Sequence, residues 1–325
     1  MGMLRRPLAL ALAAAILGFV TARGVPLASA LMSETESNPA TFSTAASFPD
    51  VTPPTVPSSA VSKTVLYIPG FIRQGGTYFV YANASDAGGL ASVRADVSAV
   101  TTGQTSVALV AGAYTIGGVA YGYRSASLTA NAVLTAGSKA YTITATDNAS
   151  NVATVGFTVT VDNTAPTGTN VQTANGSTTV GKPELGDTIT LTFSEVIDPQ
   201  SIQAAWTGSA TPVVVRITNG GGGADVLTIR DAANAVQLPL GSVNLVGTGY
   251  VTATRDFGAP GTASSMVAAG ATITITLGTP SGATATQGAP GLNMVWTPAV
   301  AATDRAGNAC LATPATESGA LDLEF

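Results

Sequence analysis

Histidine is absent from this 325-residue chain, and cysteine occurs once, as Cys310. Without histidine there can be no Ser-His-Asp triad, no Cys-His nucleophile and no His-ligated zinc. A lone cysteine excludes an intrachain disulfide and a thiolate metal cluster. Cys310 reads as a small, half-buried apolar residue, with a reactive or intermolecular thiol as the alternative. Charge is scarce as well, at 10% of residues, where about 25% is usual. Leu, Glu, Lys and Gln, which sustain long helices, are few. Thr, Ser, Ala, Val and Gly take their place, with 36 Gly and 18 Pro. Small and β-branched residues among many breakers imply short strands joined by turns.

The first 30 residues read as a secretory signal peptide. Arg5 and Arg6 form a positive start, Leu8 to Ala22 is an apolar run of 15 residues, and Ala28-Ser29-Ala30 has the small-x-small cleavage pattern. A membrane-spanning helix would need about 20 residues, so membrane contact is expected only if this segment stays uncleaved. Arg5, Arg6 and Arg23 lie in this leader, so residues 31–325 hold 10 of the 13 basic residues and all 18 acidic ones, a net charge of −8. A surface of that sign repels nucleic acid and anionic lipid. Residues 31–62 read as a Ser/Thr/Pro-rich linker, with Pro49, Pro53, Pro54 and Pro57 favouring extended backbone.

Two β modules are expected beyond it, over 63–165 and 166–325. In the first, strands are predicted at Thr64–Ile68, Thr77–Ala84, Ala91–Ser98, Ser106–Val110, Tyr123–Thr129, Lys139–Thr146 and Val152–Val161. In the second they are predicted at Thr188–Phe193, Val213–Thr218, Asp225–Ile229, Tyr250–Thr254, Ala271–Leu277 and Met294–Ala301. Several alternate apolar and polar residues with period two, as half-buried antiparallel strands do. Gly220–Gly223 and Asp256–Ser265 read as surface excursions. About seven short strands in about 100 residues fit an immunoglobulin-like sandwich, with a barrel as the alternative. The fold class expected is therefore all-β, with two antiparallel sandwiches in tandem.

One phrase occurs twice: Ala145–Asn151 reads ATDNASN and Ala302–Asn308 reads ATDRAGN. The first copy runs on to Val159, Val161, Asp162, Thr164, Ala165 and Pro166. With Tyr141, Ile143, Ala145, Asp147, Ala149 and Asn151, these residues resemble the ending of bacterial immunoglobulin-like (Big-type) repeats, where Ser150 replaces the usual Gly. Gly186 to Pro199 resembles the opening of a second bacterial immunoglobulin-like family found in surface-layer and adhesin proteins, with Val196 in place of a proline. After the leader, Met32, Ser33, Glu34, Glu36, Asn38 and Phe42 resemble the export signals of camelysin-like and matrix-fibre proteins, although the aromatic and the Asp of that pattern are absent. Together these resemblances imply a secreted or cell-surface bacterial protein.

The repeated phrase admits two readings. Asp accepts from amides two residues on, and Gly or Asn tolerates left-handed backbone, so it can simply be a turn. Alternatively, Asp147, Asn148 and Asn151 with Asp162 and Asn163 at the module junction supply the oxygens that Ca2+ prefers. Carboxylate pairs are the remaining catalytic device, and Glu195 with Asp198 or Glu184 with Asp187 are the candidates. Tyr67, Tyr78, Tyr81, Tyr114, Tyr121 and Tyr123, with Phe71 and Phe79, gather in the first module, either as strand packing or as a recognition surface. No catalytic residue is assigned. The function expected is structural or adhesive, in an exported surface or matrix protein whose partner is a surface protein or glycan. The alternatives are a carbohydrate- or protein-binding module and a carboxylate-dependent hydrolase.

Overall fold

Alternating burial dictates the architecture. Val152–Val161 and Thr188–Phe193 are strands at the residues the periodicity marks, and in the second of them Ile189, Leu191 and Phe193 are buried while the threonines between them are not. A computed structural model describes residues 49–63, 68–287, 291–319 and 323–325. The expected signal peptide, linker residues 31–48 and positions 64–67 of the strand expected at Thr64–Ile68 lie outside the described residues. The described chain is all-β save one short helix, and its antiparallel sheets curl into sandwich-like barrels.

The first path comprises β1 (Thr55–Lys63), β2 (Phe71–Ile72), β3 (Thr77–Ser85), β4 (Leu90–Asp96), β5 (Val107–Ile116), β6 (Val119–Ser125), β7 (Leu128–Thr129), β8 (Gly137–Asp147) and β9 (Val152–Val161). They pair in the order β1-β3-β6-β5-β4-β8-β9-β2, with β7 on β3. The β2–β9 pair is parallel and the others are antiparallel. Val61, Tyr78, Val80, Val93, Ile143 and Val159 are among the residues of its core.

β1 corrects the linker expectation, because Thr55–Ser62 fall within the residues 31–62 expected to be spacer. Val56 and Val61 are buried in the core. Pro57 is tolerated because β1 lies at the end of the strand order and its register slips between Thr55 and Ser58. A proline, which cannot donate to a ladder, is confined to such edges and bulges.

The second path holds β10 (Gly168–Ala174), β11 (Thr188–Phe193), α1 (Pro199–Ile202), β12 (Thr211–Thr218), β13 (Val226–Asp231), β14 (Gln237–Asn244), β15 (Arg255–Phe257), β16 (Ser264–Ala269), β17 (Thr272–Thr276), β18 (Val295–Thr297) and β19 (Ala315–Thr316). The strands run β10-β11-β17-β16-β12-β13-β14-β18-β19, with β15 on β12. Trp296 sits in its core, edge-on to Phe193 at 4.8 Å, and donates its indole N–H to the Leu240 carbonyl at 2.7 Å. Trp206 is also buried and donates to the Ser209 carbonyl. Cys310 is buried, and burial pushes its thiol up to about 11, with the Glu195 charge adding to the effect. A thiol so shifted stays protonated and inert at neutral pH.

Two expectations in this half are corrected. Tyr250–Thr254 is not a strand. Tyr250 and Val251 are buried, but the Val251 amide donates to the Asp225 carboxylate at 3.1 Å instead of to a ladder. Asp256–Ser265 is not a plain surface excursion, since its ends belong to β15 and β16 and both Phe257 and Ser264 are fully buried.

The two paths meet at a joint. The Lys63 ammonium at the end of β1 pairs with the Asp198 carboxylate at 2.8 Å and donates to the Asp304 carbonyl at 3.0 Å. The Arg305 guanidinium lies 3.9 Å from the centre of the Phe71 ring. Asn163, between the paths, accepts from the Gln74 amide and donates to the Leu134 carbonyl.

Candidate functional site

Both copies of the repeated phrase fold into the same turn. Asp147 Oδ1 accepts from the amides of Ala149 and Asn151 at 2.9 and 2.7 Å, and its Oδ2 accepts from the Asn151 side chain at 2.8 Å. Asp304 Oδ1 accepts from the amides of Gly307 and Asn308 at 2.6 and 2.7 Å, and its Oδ2 accepts from the Asn308 side chain at 2.8 Å. The fourth residue is left-handed in each, Ser150 at φ 73° and Gly307 at φ 92°. The turn therefore forms with or without glycine.

Each turn also reaches back to the residues just before its own set of strands, ahead of β1 and of β10. Asn151 donates to the Asp50 carbonyl and Asn308 to the Asp162 carbonyl, both at 2.9 Å. The two targets carry a second repeat: Asp50-Val-Thr-Pro-Pro-Thr55 and Asp162-Asn-Thr-Ala-Pro-Thr167 share D-x-T-x-P-T. In both, the leading Asp accepts from the Thr amide two residues on at 3.0 Å. This second repeat was present in the sequence and could have been found beside the first.

The latch collects carboxylates twice over. Asp50, Asp86 and Asp147 place one oxygen each within 4.8 Å of one another, and so do Asp162, Glu195 and Asp304. Asp86 stands in the β3–β4 turn, where it accepts from the Gly88 amide, and Glu195 follows β11. Of the five residues expected to supply a cation, only the two acids fall in these clusters, one in each. Asp147 belongs to the first and Asp162 to the second. Asn148 donates to the Gly88 carbonyl, Asn151 braces its own turn, and Asn163 ties the chain after β9 back to Leu134. Asp50, Asp86, Glu195 and Asp304 are the acids that the sequence reading left out of the site.

The electrostatics of the clusters differ. Burial works against ionisation of Asp147, yet hydrogen bonds from the Asn151 side chain and nearby amides hold its carboxyl below the usual value. Glu195 is pushed up to about 7, first by burial and then by the charges of Asp304 and Asp162, with Arg305 offsetting part of the rise. Its Oε1 is buried and accepts no hydrogen bond among the described residues. Three converging carboxylates must share protons or a cation. All the donors are oxygens, a set that suits Ca2+ or another hard cation.

The carboxylates named as candidate pairs each have other partners, although the Glu184 charge also reaches Asp187. Asp198 caps α1 by accepting from the Gln200 amide and binds Lys63, while Glu195 turns to Asp162 and Asp304. Asp187 is fully buried and accepts from the amides of Gly176 and Glu184. The Glu184 carboxylate binds Lys182 and Ser177.

These features define an all-β protein with two latched sandwich units. No known family and no curated protein matches the chain. Two solved structures show faint likeness. Dimeric latent PorU of Porphyromonas gingivalis matches at 12% identity and TM-score 0.25, over 70% of this chain and 21% of that one. The Escherichia coli adhesin FdeC matches at 17% identity and TM-score 0.22, over 82% of this chain and 66% of that one. The chain thus spans about a fifth of the first and just under two thirds of the second. Overlap this slight adds nothing to the architecture read from the strands.

Proposed function

We propose that this is an exported cell-surface or extracellular-matrix protein whose role is structural or adhesive. The observation that carries the proposal is the joint between the two sandwiches. A largely buried ion pair, Lys63 with Asp198, and a guanidinium on an aromatic ring, Arg305 on Phe71, clamp successive modules together. A clamped joint suits a protein that transmits force or holds a surface at a fixed distance. The leader pattern and the proline-rich stretch after it support the same reading.

A hard divalent cation belongs to this proposal. It would be held by Asp162, Glu195 and Asp304 and would neutralise their mutual repulsion at the joint. The unpartnered Glu195 Oε1 favours this cluster over the one at Asp147.

Fractionation of the source cells, with N-terminal sequencing, tests the export claim. Mature protein beginning near Leu31 and digestible by protease added outside intact cells is the expected result. Full-length protein confined to the cytosolic fraction would overturn the reading.

A further inference from the structure

β1, β3, β5 and β6 carry no Asp or Glu, although the protein as a whole is acidic; their charged residues are Lys63 and Arg124. Lys63 is engaged at the joint. Arg124 makes no salt bridge among the described residues. It stands in a cross-strand row that the register sets out as Ala60, Tyr81, Arg124 and Val110. The row faces away from the main core, because Val80 and Ala82, which flank Tyr81 in β3, point into that core. Val110 at the end of the row is 64% exposed.

Aromatic rings surround the guanidinium. Its carbon lies 4.4 Å from the Phe79 ring centre and 4.5 Å from that of Tyr114. Tyr81 meets both rings edge-on, at 6.1 and 6.3 Å, and Tyr121 packs on Tyr81 at 5.7 Å. A register slip in β5 between Ala111 and Tyr114 places Tyr114 here. Gly112 makes room for it, since a Cβ there would meet the Tyr114 ring at 2.7 Å. Among the described residues, the Tyr114 hydroxyl is held only by a 3.5 Å contact to the Val110 carbonyl, too long for a strong bond. Beneath the rings, Arg124 Nε is buried with no acceptor among the described residues, and an unmet donor of this kind carries a free-energy cost; the guanidinium also shares a side-chain hydrogen bond with the Tyr81 hydroxyl.

We propose that this face binds an acidic polysaccharide, one whose pyranose rings bear carboxylates. The proposal names the ligand for the adhesive role given above and rests on that reading. With two rings beside the guanidinium and one hydrogen bond made to Tyr81, its remaining N–H groups are left for a ligand. Edge-on approach is the geometry in which arginine takes a carboxylate with two parallel hydrogen bonds. Phe79 and Tyr114 are only partly buried, and the ring surface they leave to solvent suits the C–H face of a sugar. Displacement of the weakly held Tyr114 ring would bring the ligand carboxylate to Nε. A strand-forming peptide is the poorer fit, because β3, β5 and β6 already have partners on both sides. The net negative charge of the chain does not oppose binding here, since salt screens distant charges beyond about 8 Å under physiological conditions.

The test is calorimetric titration of the intact chain, in EDTA, with polygalacturonate oligomers, their methyl esters and neutral dextran. EDTA removes any contribution from cation-bridged carboxylates. Binding of the free acid, at least tenfold weaker binding of the methyl ester and none of dextran is the expected pattern. Arg124→Lys, which keeps the charge but loses the paired donors, should weaken binding tenfold or more while the protein stays folded by circular dichroism. Equal affinity for acid and ester, no binding of the acid, or a folded Arg124→Lys that binds as wild type would each overturn the proposal. The ester comparison needs no variant and so survives a misfolded one. Failure here leaves the export claim intact, because that claim is read by fractionation.

Discussion

Asn308 donates its side-chain amide to the backbone carbonyl of Asp162, 2.9 Å away and 146 residues earlier in the chain. The same amide group also binds the Asp304 carboxylate, so one side chain ties the Asp304–Asn308 turn to the residues just before β10. Asn151 does the same for the first module through Asp50 and Asp147. Replacing Asn308 with Ala should lower stability by about 1–3 kcal/mol, the range for leaving buried partners unsatisfied. Asn151→Ala should act similarly. Chemical denaturation measures both, and a loss under about 0.5 kcal/mol for each would mean that the latch is ornamental.

Ser150 holds a backbone conformation that glycine adopts freely and that costs a residue with a Cβ roughly 1–2 kcal/mol. Ser150→Gly should therefore stabilise the protein, by less than that amount because glycine also loses more entropy on folding. Gly307→Ser, the reverse change in the other copy, should destabilise. Thermal melting of the two variants should move in opposite directions.

Lys63 at the joint is 13% exposed and its partner Asp198 is 2% exposed. Removing one member of a buried pair strands the other charge, at a typical cost of about 3–5 kcal/mol. Lys63→Ala should approach the lower end of that range, because some solvent reaches the ammonium. Calorimetry should show the two sandwiches melting as one transition in the wild type and separating in the variant. A single unshifted transition in the variant would exclude a clamped joint.

Glu195 gives a pH signature. Its carboxyl is raised to about 7 by burial and by Asp304 and Asp162, with Arg305 opposing, against about 4.3 when unfolded. The folded state therefore holds the proton more tightly, and the stability it contributes is full below the unfolded value and lost as pH rises towards 7. In EDTA, Glu195→Gln should melt higher than wild type at pH 8, and the gap should close near pH 4. Millimolar Ca2+ should raise the wild-type melting temperature at pH 8 more than that of the variant. A pH-independent gap would remove the raised carboxyl, and equal calcium responses would remove the cation at this cluster.

What could be read from residue order alone was whatever depends on nearest neighbours. β9 and β11 are clean period-two runs and lie where that pattern places them. Asp-Pro at 198–199 caps a helical turn, and the ATDxA[SG]N phrase makes the turn its Asp and Asn imply. The absence of histidine and of a second cysteine limits the chemistry whatever the fold. Strands that hold breakers were hidden. β1 carries Pro57, and β14 carries Pro239 with Gly241 at φ 83°. They pair because an edge position, a register slip or a neighbouring strand supplies what the local sequence lacks.

The sites were decided only in three dimensions. Nothing in the spacing of Asp50, Asp86 and Asp147, or of Asp162, Glu195 and Asp304, shows that they converge, because the strands between them set the distance. The same is true of Arg124, whose rings come from β3 and β5. Local sequence determines which residues extend and which turn. The register between distant strands determines which side chains meet, and that depends on burying the whole core at once.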